Sequence, residues 1–111
     1  MKVLFHINEV DRWPRVLTNI NNFLRDIGTG KASILVLANG LGVLAYSLGK
    51  QDLIKEMENL HEQGVTFIAC RNALNTYNIS ENKLPAFVTV VPAGITEIVQ
   101  KQAQGYAYIK P

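Results

Sequence analysis

Cysteine occurs once in this chain of 111 residues, as Cys70, and histidine twice, as His6 and His61. One cysteine excludes an internal disulfide and any zinc site built from cysteine alone. Two separated histidines with a single thiol do not make a metal-ligand set, so no metal and no cofactor is expected. A lone free thiol fits a reducing compartment. The apolar amino-terminal stretch Met1-Lys2-Val3-Leu4-Phe5-His6-Ile7 is too short for a signal peptide and has no small-residue cleavage site. The cytoplasm is therefore the expected location.

Charge is also sparse. Charged residues make up 18% of the chain and the net charge is +2. The basic residues are scattered and nowhere interleaved with aromatics, which argues against a nucleic-acid partner. No apolar run approaches the length needed to cross a membrane, so no membrane partner is expected either. A surface with few charges leaves room for contacts between copies of the chain.

Apolar residues are plentiful, at 48%. With this length they predict one globular domain over residues 1–111 with a core that needs no staples. Lys2 to Ile7 reads as a buried first strand. Asp11 is placed to cap the next helix, which carries Pro14 in its first turn. Val16, Leu17, Ile20, Leu24 and Ile27 share one face of that helix, and Gly28 ends it. Ala32 to Ala38 is apolar but for Ser33, as suits a strand buried on both faces of a parallel sheet. Asn39-Gly40 turns the chain, and Leu41, Leu44 and Leu48 predict a short helix weakened by Gly42. A helix follows from about Gln51 to Gln63, with Leu53, Met57 and Leu60 inward. Val65 to Ala69 is the third strand, and Arg71 to Asn78 a short helix. Phe87 to Val91 is the fourth strand. A helix beginning at Pro92 runs through Ile95, Ile98 and Val99 to Gly105, and Tyr106 to Ile109 is a short fifth strand. This alternation predicts an α/β fold, a parallel sheet with helices on both faces.

Ligands of open parallel α/β sheets bind beyond the carboxyl ends of the strands. Here those ends carry His6 and Asn8, Asn39 and Gly40, Cys70 and Asn72, and the Pro92-Ala93-Gly94 turn. Cys70 stands where a strand gives way to a helix. Unpaired N–H groups and the helix dipole at such a start favour a thiolate, the reactive form of the side chain, and Arg71 adds positive charge if it turns inward. Free cysteine is equally a residue that fills space in cores, and both readings stand. His6 is the one base that sequence offers to Cys70, as in Cys/His nucleophilic pairs, though a histidine beside an apolar strand is more often packed or hydrogen-bonded. His61, near Glu58 and Glu62, reads as solvated. Asn39-Gly40-Leu41-Gly42 has neither the Gly-x-Gly-x-x-Gly spacing nor the Lys-Ser/Thr ending of phosphate loops and reads as a tight turn. Asn39 is nonetheless placed to position the Cys70 loop or a bound anion. Trp13, Tyr46, Tyr77, Tyr106 and Tyr108 read as core or edge packing, or as contacts between subunits.

Three stretches in order carry a resemblance. They are Val36-Leu37-Ala38-Asn39-Gly40, then Gly64 to Leu74 (GVTFIACRNAL), then Pro92-Ala93-Gly94 leading to Gln102 to Pro111 (QAQGYAYIKP). Together they resemble the DsrE/DsrF-like family of sulfur-relay and related small proteins. The resemblance implies a three-layer α/β/α sandwich around a five-stranded parallel sheet, with the last strand beside the first. It implies assembly into homotrimers or homohexamers. In sulfur-relay members a cysteine after the third strand carries sulfur as a persulfide, and Cys70 matches that position. Asn39 and Asn72 match the pattern of the small members.

Two functions follow as expectations. In the first, Cys70 accepts sulfane sulfur from a donor protein and passes it to an acceptor, a transferase role suited to a lone thiol because no neighbouring cysteine can resolve the persulfide into a disulfide. In the second, the chain is a non-catalytic ligand-binding or regulatory oligomer, with Asn39, Gly40, Arg71, Asn72, His6 and Asn8 around a pocket that Cys70 lines. A cysteine hydrolase ranks behind both, because it needs His6 within reach of the thiol.

Overall fold

The computed structural model describes residues 1–111. Five strands form one sheet: β1 (Lys2–Ile7), β2 (Ser33–Ala38), β3 (Val65–Cys70), β4 (Val88–Val91) and β5 (Ala107–Ile109). The order is β4-β3-β2-β1-β5, and every pairing is parallel. The helices are α1 (Trp13–Ile27), α2 (Leu44–Leu48), α3 (Gln51–Glu62), α4 (Arg71–Thr76) and α5 (Gly94–Ala103). The expected α/β architecture is present, including the last strand beside the first. No helix is long and apolar enough to cross a membrane.

The two faces of the sheet are covered unequally. One packs against α1 and α3 in a cluster of 22 buried residues that includes Phe5, Trp13, Ile20, Val36, Met57 and Phe67. Trp13 is fully buried, donates its Nε1–H to the Gly42 carbonyl at 2.9 Å, and sits edge-on to Tyr46 with ring centres 5.2 Å apart. Both contacts follow from a ring that is apolar except for one donor, which must find an acceptor when buried. The other face is crossed by α5 and holds a cluster of five: Leu4, Leu35, Leu37, Ile68 and Ile98. The alternation of side chains along a strand decides which residues look each way, so His6 shares a face with Leu4 and Leu37.

Several local expectations change. Asp11 does not cap α1: it lies in a 3-10 turn, Val10–Arg12, and the residue before the helix, Arg12, makes no side-chain cap bond. Leu41 and Leu48 are 47% and 78% exposed, whereas Val43, Ala45 and Tyr46 are buried, so the leucine spacing marks the outer side of this segment. Gly42 is there for close approach, since a Cβ on it would lie 2.6 Å from the Ile7 carbonyl oxygen. The helix α4 stops at Thr76 because Asn78 takes a left-handed φ of 54°. Asn78 N–H then bonds the Asn75 carbonyl and Ile79 N–H the Leu74 carbonyl, a Schellman closure that asparagine tolerates. The last helix begins at Gly94 and not Pro92, because Ala93 remains extended at φ −145°, ψ 122°. His61 is exposed as expected, but its ring also bonds the Val65 carbonyl and stacks on Phe87.

Candidate functional site

Parallel pairing fixes the site's layout. Ala38 of β2 is in register with Ala69 of β3, so Asn39 and Cys70 follow side by side at the strand ends. Gly94 closes the group from the opposite side, as the first residue of α5. A Cβ added to Gly94 would lie 3.2 Å from the Cys70 Cβ, 3.3 Å from the Asn39 Cβ and 3.1 Å from Leu37 Cδ2. Glycine is what lets α5 start this close to the sheet.

The Gly94 N–H donates to Cys70 Sγ at 3.2 Å. Ala93, the residue ahead of α5, has no side-chain capping atom, so the thiol satisfies one of the unpaired donors at the helix start. Cys70 is also the residue preceding α4, with φ −81° and ψ 120°. It is 5% exposed and lines a depression of about 290 Å³. Asn39, Gly40, Asn72, Thr76, Tyr77 and Ile95 are among the residues around it, and none that line it carries a charge.

His6 is bonded at both ring nitrogens, Nδ1 to the Tyr108 hydroxyl at 2.6 Å and Nε2 to Asn39 Oδ1 at 2.7 Å. Burial holds its pKa below the usual 6.5. The Lys110 charge acts in the same direction and the Asn39 bond opposes both. A neutral ring with Nε2–H donating to Asn39 leaves Nδ1 to accept from Tyr108. His6 lies on β1 and Cys70 on β3, with β2 between them. A Cys/His nucleophilic pair therefore has no footing, and the hydrolase expectation falls. Tyr108, half exposed on the edge strand, has its own pKa raised above 10.0 by desolvation.

The remaining expected residues divide. Gly40 and Asn72 border the depression. Arg71 turns outward, pairs with Glu81 and lines a separate surface hollow with Asn75 and Ser80, so it brings no charge to the sulfur. Asn8 is exposed and accepts a hydrogen bond from Lys110 at 2.9 Å. No three His, Cys, Asp or Glu side chains come together. Sequence reasoning read Tyr108 as edge packing or a subunit contact and missed its bond to His6, which follows from β5 lying beside β1 with Leu4 and Tyr108 in register.

A cysteine closing the third strand of a five-stranded parallel sheet is the feature to set against known proteins. The model of the DsrE/DsrF-like family matches residues 27–111, which include Cys70 and Asn39. The chain belongs to that family. Among solved structures, the DsrE/DsrF-like fold here is similar to that of a protein of unknown function, MTH1491 from Methanobacterium thermoautotrophicum. The two share 32% sequence identity, the TM-score is 0.90, and the match covers 99% of this chain and 98% of the other. It is also similar in fold to the YchN protein from E. coli, with 13% identity, a TM-score of 0.81 and full coverage of both chains. No curated protein matches the chain.

Proposed function

We propose that this DsrE/DsrF-like protein is a sulfur-relay carrier that holds sulfane sulfur as a persulfide on Cys70. The observation that carries the reading is the Gly94 N–H directed at Cys70 Sγ at the start of α5. An N–H at a helix start stabilises negative charge, and sulfur is anionic both when it attacks and when it leaves. In the loading step the Cys70 thiolate attacks the outer sulfur of a donor persulfide. The donor S–S bond breaks, the donor thiolate leaves and takes up a proton, and a new S–S bond forms on Cys70. In unloading, an acceptor thiolate attacks the outer sulfur and the Cys70 thiolate departs. Neither step needs a cofactor or changes the total oxidation level, and no second cysteine is present to divert the persulfide into a disulfide.

The burial of Cys70 shapes what the donor must be. At 5% exposure the sulfur is reached from one side, so a donor must present sulfane sulfur on a narrow arm or as a small molecule. Asn39, Gly40 and Asn72 form the rim it passes. Exposed Leu41, Leu48, Ile95 and Val99 support contacts between copies, for which the family resemblance implies a homotrimer or homohexamer, in a cytoplasmic setting that keeps Cys70 reduced. Incubation with a persulfide donor followed by mass spectrometry of the intact protein tests the reading. One added sulfur on the wild type and none on Cys70→Ser is expected. No adduct, or an equal adduct on both, overturns it.

The same low exposure of Cys70 favours one other reading, a ligand-binding or regulatory oligomer in which the thiol only lines the depression. In that case a ligand raises the melting temperature of wild type and Cys70→Ser alike.

A further inference from the structure

His6 is the one polar residue among the buried ones, at 7% exposure. Its neighbours on the same sheet face, Leu4 and Leu37, are leucines, and a leucine would suit its position equally. Histidine there introduces two hydrogen-bond demands that burial makes costly unless both are met. They are met by residues from opposite sides of it: Tyr108 on the edge strand β5 and Asn39 beyond the end of β2. Tyr108 lies 102 residues from His6 in sequence and Asn39 lies 33. The result is a side-chain chain that runs across the sheet from its edge to the Cys70 depression.

The end of this chain is asymmetric. The Asn39 oxygen is taken by His6 Nε2–H. Its amide nitrogen has no protein partner, and no buried side-chain nitrogen or oxygen is left without one, so that nitrogen opens to solvent at the depression. A carboxamide held by its oxygen can turn only donors toward a ligand. The Gly94 N–H beside it is engaged by the Cys70 sulfur, and the other polar residues lining the depression, Asn72, Thr76 and Tyr77, are neutral, so the depression holds no cation.

We propose that Tyr108 and His6 are positioning residues that hold Asn39 by its oxygen, so that its N–H2 stands beside Cys70 as the specificity-determining donor for a small anionic sulfur compound. This rests on the reading of Cys70 as the sulfur-carrying residue, and it names the class of molecule the site admits. Protonation of His6 leaves the arrangement intact, since Nε2–H donates to Asn39 in either state. The groups facing the ring are the Tyr108 hydroxyl and Asn39, with Lys110 the nearby charge.

The test compares two alkylating reagents of similar size, anionic iodoacetate and neutral iodoacetamide, by their rates at Cys70 in the full chain. The ratio of the two rates reads how well the depression accepts negative charge, whether or not sulfur is ever carried. Asn39→Asp puts a carboxylate in place of the amide and is expected to lower the iodoacetate-to-iodoacetamide ratio about tenfold. Tyr108→Phe removes one oxygen from a half-exposed side chain and is expected to lower it about threefold by freeing His6 to turn. His6→Leu fills the same buried space and leaves Tyr108 and Asn39 to water. It is expected to keep or raise the melting temperature while lowering the ratio as Tyr108→Phe does, which a merely structural histidine would not do. A ratio unchanged in Tyr108→Phe, or both rates falling together in all three variants, overturns the proposal. So does a wild-type Cys70 that reacts with neither reagent. A ratio that behaves as expected in a protein that never takes up sulfur sinks the carrier reading alone and leaves the positioning chain standing.

Discussion

The two faces of the sheet are built to different ends. The face under α1 and α3 is thick, aromatic and dry, with Trp13, Tyr46 and Phe67 packed ring against ring. The face under α5 is thin, with five buried aliphatic residues; it carries the Tyr108–His6–Asn39 chain, and the start of α5 bonds the Cys70 sulfur. Burial of apolar area does most of the work of stabilising a fold, and here it is concentrated on one side. The other side is left with a single helix whose start can be tuned to a sulfur atom without dismantling the core.

The sharpest way to break that contrast is to damage the thick face. Trp13→Ala removes a fully buried ring and is expected to cost about 3–5 kcal/mol in denaturant unfolding. The surviving folded fraction should still show the wild-type ratio of iodoacetate to iodoacetamide rates. The thin face should respond in the opposite manner. Gly94→Ala places a Cβ 3.1–3.3 Å from Leu37, Cys70 and Asn39, so those side chains or the start of α5 must give by a few tenths of an ångström. A loss of about 1–3 kcal/mol is expected from overpacking, together with a change in Cys70 alkylation rate. An unchanged rate would show that the start of α5 does not govern the thiol.

The smallest effect expected is that of acid. Burial keeps the folded pKa of His6 below 6.5, so between that lowered value and 6.5 the unfolded chain binds a proton the native state refuses. Stability is therefore present above pH 6.5 and is lost as pH falls toward the folded value. Melting temperatures should decline below about pH 6.5, and the part of that decline due to His6 should vanish in His6→Leu.

Strand pattern and rim position were readable from the chain alone, because both depend on residues near one another in sequence. The run from Ala32 to Ala38 reads as a buried strand, which the structure shows over Ser33–Ala38 with Ile34 to Ala38 buried, and a cysteine directly after the next apolar run sits at the sheet's carboxyl edge. Arg71 shows where such reasoning stops: its direction is settled by Glu81, ten residues on, across a turn whose shape Asn78 sets. Leu41 and Leu48 have helical spacing, but that spacing is the same for the inner and outer sides of a short segment. What decides between them is Trp13, whose ring claims the Gly42 carbonyl. The resemblance already implied the last strand beside the first, but not that Tyr108 would meet His6, because that depends on the register Leu4↔Tyr108 and on a side-chain contact 102 residues apart.

That return is made by α5. Its 10 residues span about 15 Å, and they carry the chain from one edge of the sheet to the other. The helix is thus a strut of fixed length with the sulfur's donor at one end and the strand bearing Tyr108 just past the other. Lengthening or shortening it by one residue would rotate everything downstream by about 100° relative to Gly94. A change of one residue in the length of α5 is therefore expected to disturb the site more than substitutions along its outward side.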